Sequence, residues 1–131
     1  NSPNCKSYQK IKNVLNDKSK GVYQGKIFVE KIAQKTDAYQ LSKALIVSDS
    51  AEFDAKPELE IYADDVKCSH GSTSGSIDSD AVYYLMTRGI PKKEAVKLLI
   101  NGFLSEVLEN ITSSKLKLFL EEVLERQING H

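Results

Sequence analysis

The segment richest in chemistry is Asp64-Asp65-Val66-Lys67-Cys68-Ser69-His70-Gly71-Ser72-Thr73. On a strand, side chains alternate between faces, so Cys68 and His70 would share one face with Cα atoms about 6.5–7 Å apart, and Ser69 would take the other. A thiolate and an imidazole at that spacing can share a soft or borderline metal such as iron or zinc. They can equally form a thiol and base couple for nucleophilic catalysis. Each reading is short of parts. A closed structural metal site uses four protein ligands and two are offered here, so a partner, a small molecule or the atoms of a cluster would have to complete it from outside the chain. A catalytic thiol needs an orienting third group and an oxyanion hole, and the spacing supplies neither. The plainer alternative makes Cys68 a small buried hydrophobe and His70 a turn residue ahead of Gly71.

Other reactive side chains offer less. Asp64 and Asp65 are adjacent, so on a strand they face opposite ways and make no carboxylate pair for acid and base work. Cys5 reads as structural or incidental, and His131, the last residue, as a chain end rather than a ligand. Two cysteines are too few for a disulfide scaffold, and the glycines form no phosphate-binding fingerprint.

The elements that must position Cys68 and His70 change character near Gly75. Before it, Gly25-Lys26-Ile27-Phe28-Val29, Lys43-Ala44-Leu45-Ile46-Val47 and Leu59-Glu60-Ile61-Tyr62-Ala63 read as short strands rich in β-branched and aromatic residues. Setting Phe28, Ile46 and Ile61 in register also aligns Ala33, Ala51 and Val66, and then Thr36, Asp54 and Ser69. The spacing of about 15 to 18 residues is that of a parallel β-solenoid, whose repeats bury their inward faces on one another. An antiparallel sandwich is the alternative, although no Asn-Gly or Asp-Gly hairpin signal separates the runs.

After Gly75 the pattern is helical. Asp78 is placed to cap a helix running through Arg88, with Ile77 as a hydrophobic staple and Gly89 as a left-handed stop. Pro91 fits the first turn of a second helix, which gathers Val96, Leu99, Ile100, Phe103, Leu104, Val107, Leu108 and Ile111 on one broad face. A third helix starting at Thr112 or Ser113 would bury Leu116, Phe119, Leu120, Val123 and Leu124. The predicted division is therefore a β part over residues 1–75 and a helical part over 76–131. The helices carry more apolar surface than they can bury on each other, so part of it is expected to meet the β part, a second copy or a partner.

The chain has 131 residues, 40% of them hydrophobic and 27% charged, with 18 basic against 18 acidic side chains. That neutrality argues against a protein that tracks phosphates or binds a membrane through basic residues. The charge is unevenly placed: residues 1–40 hold eight lysines and three acids, whereas 41–80 hold three lysines and nine acids. Such blocks serve either as solvated surface or as oppositely charged docking faces. The first residues, Asn1-Ser2-Pro3-Asn4-Cys5, read as a fragment start or a processed end.

Three stretches carry a family resemblance: Lys35-Thr36-Asp37-Ala38-Tyr39-Gln40, Lys56-Pro57-Glu58-Leu59-Glu60-Ile61, and Ala63 through Thr73 with its continuation Tyr83-Tyr84-Leu85-Met86-Thr87-Arg88-Gly89-Ile90. From about residue 18 to about residue 111 the chain resembles the C-terminal part of the SufB/SufD family of iron-sulfur cluster assembly scaffolds. The Cys-Ser-His-Gly tetrad is similar to the SufD pattern; SufB-type chains tend to carry Glu where this one has Gly71, and Ser72 replaces an Ala.

The resemblance implies the last coils of a right-handed parallel β-helix followed by a small helical domain. It implies a non-catalytic scaffold that pairs edge to edge with a SufB-like paralogue and docks a SufC-like ABC ATPase through the helices from about Asp80 to Ile111, including Val96, Leu99, Ile100, Phe103, Leu104 and Val107. By the same resemblance Cys68 and His70 would contribute to a transient iron-sulfur cluster or metal site shared with the SufB-like partner, in bacterial cytoplasm or plastid stroma. A fragment cut within a solenoid would also expose its first coil, so a homodimer through that end is a further expectation. A thiol enzyme and a purely structural β-solenoid binding module are the rival readings.

Overall fold

A computed structural model describes residues 2–129, so His131 lies outside the described residues. The chain divides into two compact units, residues 1–75 and 76–131.

The first unit is built from five ten-residue strands, β1 (Lys6–Leu15), β2 (Lys20–Val29), β3 (Asp37–Ile46), β4 (Glu52–Ile61) and β5 (Lys67–Ser76). Successive strands fall alternately in two sheets, ordered β1-β3-β5 and β2-β4. Pairing is parallel, with Lys6 beside Asp37 and Lys20 beside Glu52, which excludes the antiparallel sandwich. Residues that pair are thus 31 or 32 apart, and the 15- to 18-residue spacing in the sequence is the step from one sheet to the other. The alignment of Phe28 with Ile61 is wrong by one position. Val29 is the residue that pairs with Ile61, and Phe28 points outward, half exposed. Because side chains alternate along a strand, a one-residue slip exchanges core for solvent.

The interior is lined by small residues. Ala38, Gln40, Ser42 and Ala44 form the buried face of β3, while Gly21, Tyr23, Gly25, Ile27 and Val29 form the inner face of β2. Ala33 and Ala51 are buried at two equivalent corners, where their N–H groups donate to Glu30 O and Ser48 O. Thr36 locks the first corner by donating to Ala33 O at 2.7 Å.

The second unit comprises α1 (Ser79–Thr87), α2 (Lys92–Ser105), a single 3-10 turn over Glu106–Leu108 and α3 (Ser114–Asn129). Asp78 Oδ1 caps α1, accepting from the N–H groups of Asp80 (2.9 Å) and Ala81 (3.1 Å). Gly89 ends it at φ +88, with the Gly89 N–H donating to Met86 O and the Ile90 N–H to Leu85 O, the paired bonds of a Schellman motif. Pro91 lies just before the first turn of α2, and its carbonyl accepts the Ala95 N–H. The long apolar face expected over 91–111 is divided between α2 and the 3-10 turn. In α3, Leu120, Val123 and Leu124 are half-buried, but Leu116 and Phe119 stay exposed, so the predicted buried face is narrower than drawn.

Candidate functional site

Cys68 and His70 lie on β5, one of the two outer strands of the three-stranded sheet. Lys67 N–H donates to Thr36 O at 2.8 Å, just as Asp37 N–H donates to Cys5 O at 2.9 Å one residue before its partner Lys6. By that pattern Lys67 stands beside Asp37, Cys68 beside Ala38, His70 beside Gln40 and Ser72 beside Ser42. A Cβ built on Gly71 would lie 3.4 Å from Leu41 Cδ1, as the same register requires. Ala38, Gln40 and Ser42 all face the interior, so Cys68 and His70 share the inner face of β5, as the two-residue period predicts.

Their surroundings differ. Cys68 packs against the cluster of Val29, Ala33 and Ala63 and is half-buried, whereas His70 is exposed. The reason is geometric. Among the described residues the second sheet has only β2 and β4, so nothing lies across from the inner face of β5 beyond Cys68. His70, Ser72 and Ser74 are uncovered there. The inner face of β4 is affected in the same way: Ile61 is 37% exposed, although Val29, its partner on β2, is only 3% exposed. Among the described residues the β unit therefore ends in an open face bordered by two strand edges that pair with no further strand, with Leu59 and Ile61 on one side and His70, Ser72 and Ser74 on the other.

Beneath His70 runs a polar column that the sequence patterns did not single out. Gln40 Nε2 donates to Gln9 Oε1 at 2.8 Å, while the buried Gln40 Oε1 has no hydrogen-bond partner. Gly25 makes the space for this column. A Cβ there would overlap the Tyr23 hydroxyl and lie 2.7 Å from Gln40 Nε2. Gln9, Gln40 and His70 are about one full two-strand repeat apart, so their relation emerges only once that repeat is known.

No hydrogen bond joins the Cys68 thiol to the His70 imidazole, and Cys68 and Cys5 are both free thiols. Among the described residues no three His, Cys, Asp or Glu side chains converge as a metal site. Asp65 is a turn residue: its N–H donates to Gln34 Oε1 at 3.0 Å and its carbonyl accepts from Lys35 N–H. Asp64 is exposed beside it.

On the outer face of the β2-β4 sheet, Lys26 forms an ion pair with Glu60, and the Tyr62 hydroxyl donates to the same carboxylate at 2.7 Å. The Lys26 bond, then the Tyr62 bond, hold the Glu60 carboxyl below its ordinary range. The same contacts raise Lys26 and Tyr62 above theirs. Phe28 meets Tyr62 edge to face, with ring centroids 5.9 Å apart.

In the helical unit, the predicted docking residues Val96, Leu99, Ile100, Phe103 and Leu104 are half-buried and Val107 is 37% exposed. The large apolar side chains most open to solvent there are Tyr83, Tyr84, Leu98, Leu118 and Phe119. An open cleft of about 240 Å³ between α2 and α3 is lined by Glu94, Lys97, Leu98, Asn101, Glu125 and Ile128. No helix among the described residues is long and apolar enough to cross a membrane.

Residues 1–103 match the family model for the SufBD core domain of SUF-system iron-sulfur cluster assembly. The chain belongs to that family. Within it the chain is SufD-like: it is 43% identical over 122 residues to the iron-sulfur cluster assembly protein SufD of Escherichia coli, covering 93% of this chain and 28% of that protein. It is 39% identical over 115 residues to SufD of Bacillus subtilis, covering 88% of this chain and 26% of the relative. A chloroplastic protein of Arabidopsis thaliana is 36% identical over 104 residues, covering 79% of this chain and 22% of its own length. The chain thus spans about a quarter of the length of these curated relatives.

Proposed function

We propose that this chain is the C-terminal part of a SufD-type scaffold on which iron-sulfur clusters are assembled, in bacterial cytoplasm or in a plastid. Residues 1–75 are read as the last coils of a right-handed parallel β-helix, and 76–131 as the helical domain that docks a SufC-like ABC ATPase. The observation that carries the reading is the open face of the β unit, which presents His70, with Cys68 at its margin, between two unpaired strand edges. A free edge is a template for another chain, and a SufB-like paralogue is its proposed occupant.

Two donors make an incomplete site by themselves and a composite one when a partner supplies the rest. The cluster is cargo: His70 offers it an exposed nitrogen, and Cys68 a thiol held in place by the Val29, Ala33 and Ala63 cluster. This role calls for no turnover by the chain itself. The test is anaerobic reconstitution of the full complex with and without His70→Ala, followed by iron-sulfur absorbance. Loss of the absorbance with the complex still intact is expected. Unchanged cluster yield would remove His70 from the site.

A further inference from the structure

Gln9 on β1, Gln40 on β3 and His70 on β5 stand at one level of the three-stranded sheet, all on its inner face, with Gln40 in the middle. Gln40 Nε2 donates to Gln9 Oε1 at 2.8 Å, which turns the amide nitrogen toward β1. A carboxamide carries its oxygen on the opposite side from its nitrogen, so Gln40 Oε1 is turned away from β1, toward the side on which β5 lies. Gln40 is only 3% exposed, and this oxygen has no hydrogen-bond partner. A buried amide oxygen is costly to leave unpaired. The side chain next in line on β5 is His70, whose ring carries an N–H in every protonation state found near neutral pH.

A neutral imidazole has one nitrogen that donates and one that accepts or ligates, and the hydrogen bond made by the first decides which is which. Imidazoles that ligate a metal characteristically donate their other ring N–H to a carbonyl or carboxylate, which also fixes the orientation of the ring. Cys68 is already held by apolar packing, whereas His70 is exposed and has no comparable restraint.

Resting on the composite-site reading above, we propose that Gln40 is the positioning residue for His70. When a partner covers the open face, Gln40 Oε1 accepts one ring N–H of His70, and the other ring nitrogen, without a proton, is presented to the cluster. The Gln9–Gln40 bond sets the direction of the amide, and the position without a side chain at Gly25 gives the amide its room: a Cβ there would lie 2.7 Å from Gln40 Nε2.

The chain has two histidines, so histidine-selective 15N labelling on a His131→Ala background leaves the His70 ring alone in the spectrum. Tautomer ratio and ring N–H exchange are compared for the parent, Gln40→Met and Gln9→Met, each alone and bound to the unlabelled SufB-type paralogue. Both substitutions break the Gln9–Gln40 bond, and melting temperature measures that shared structural cost; only Gln40→Met removes the acceptor beneath His70. In the complex the parent is expected to show one His70 tautomer in about five- to tenfold excess, with its ring N–H protected from exchange. Gln9→Met should keep both features, and Gln40→Met should return His70 to the ratio of the free chain. Gln40→Glu retains an oxygen at the same place and should retain the protected N–H. An unchanged ratio and unchanged protection in bound Gln40→Met would overturn the proposal, as would loss of protection in Gln40→Glu with the fold intact. Failure of the parent to bind the paralogue at all would instead overturn the composite-site reading beneath it.

Discussion

Cys68 and His70 are two positions apart on one face of β5, yet one packs into an apolar cluster and the other meets solvent. Their substitutions should separate accordingly. Cys68→Ser places a hydroxyl against Val29, Ala33 and Ala63 and is expected to cost about 1–2 kcal/mol of unfolding free energy. His70→Ala removes an exposed side chain and should stay within about 0.5 kcal/mol, so any loss of cluster assembly it causes is a loss of function and not of fold. Urea titration of both variants checks this. A second residue-scale prediction concerns Glu60. Its carboxyl is depressed by Lys26 and Tyr62, so the stability it contributes is present above the ordinary carboxylate range and is lost as pH falls through its lowered value. Lys26 and Tyr62 are raised, so their contributions are present below their unfolded values and are lost as pH rises through the folded ones. Glu60→Gln should therefore flatten the acid side of a pH titration of melting temperature. At this scale the sequence made the shared face of Cys68 and His70 legible through strand period alone. It could not give their unequal burial, which depends on the second sheet having, among the described residues, no strand across from His70.

At the scale of elements, the helix ends were readable because their signals are local: Asp78 caps through its own carboxylate, and Gly89 adopts the left-handed conformation that only Gly takes without strain. The strands were harder. β1 and β5 carry polar residues at inward positions, among them Ser7, Gln9 and Asn13 on one and Ser72 and Ser74 on the other, so neither has the apolar alternation that marks a half-buried strand. What identifies them is the pairing of a side chain with another 31 residues away, a relation that no window of ordinary length contains. The Gln9-Gln40 bond and the space at Gly25 belong to that relation. Gly25→Ala forces a methyl against the Tyr23 hydroxyl and the Gln40 amide in a packed interior, and about 1–3 kcal/mol should be lost. Because the Gln40 amide is displaced beneath His70, the imidazole environment should shift as well. Thermal melting combined with the His70 resonances in an NMR spectrum would read both effects, and a melting temperature equal to wild type would mean the interior has room that the packing does not indicate.

For the whole molecule, the proposed division of labour assigns ATPase docking to the helical unit, and the burial pattern decides how that can be tested. By its period the face running from Val96 to Val107 carries more apolar surface than the helices bury on each other, and the family resemblance assigns it to ATPase docking, but Val96, Leu99, Ile100, Phe103 and Leu104 are half-buried within the protein. Period identifies which residues share a side of a helix; it does not say whether a neighbouring helix or a partner covers them. A charge at Ile100 would therefore be confounded by lost stability, expected at about 1–3 kcal/mol. Leu118 is 61% exposed on α3 and Leu98 is 51% exposed on α2, so each can take a charge with little effect on folding. If the helices dock the ATPase through their exposed apolar side chains, Leu118→Glu or Leu98→Glu should reduce co-purification of the SufC-like subunit while the melting temperature stays within a degree or two of wild type. Ile100→Glu should lower both together. Retention of the ATPase by the Leu98→Glu/Leu118→Glu double variant would exclude this surface, and binding would then have to be sought on the side of α1 that presents Tyr83 and Tyr84.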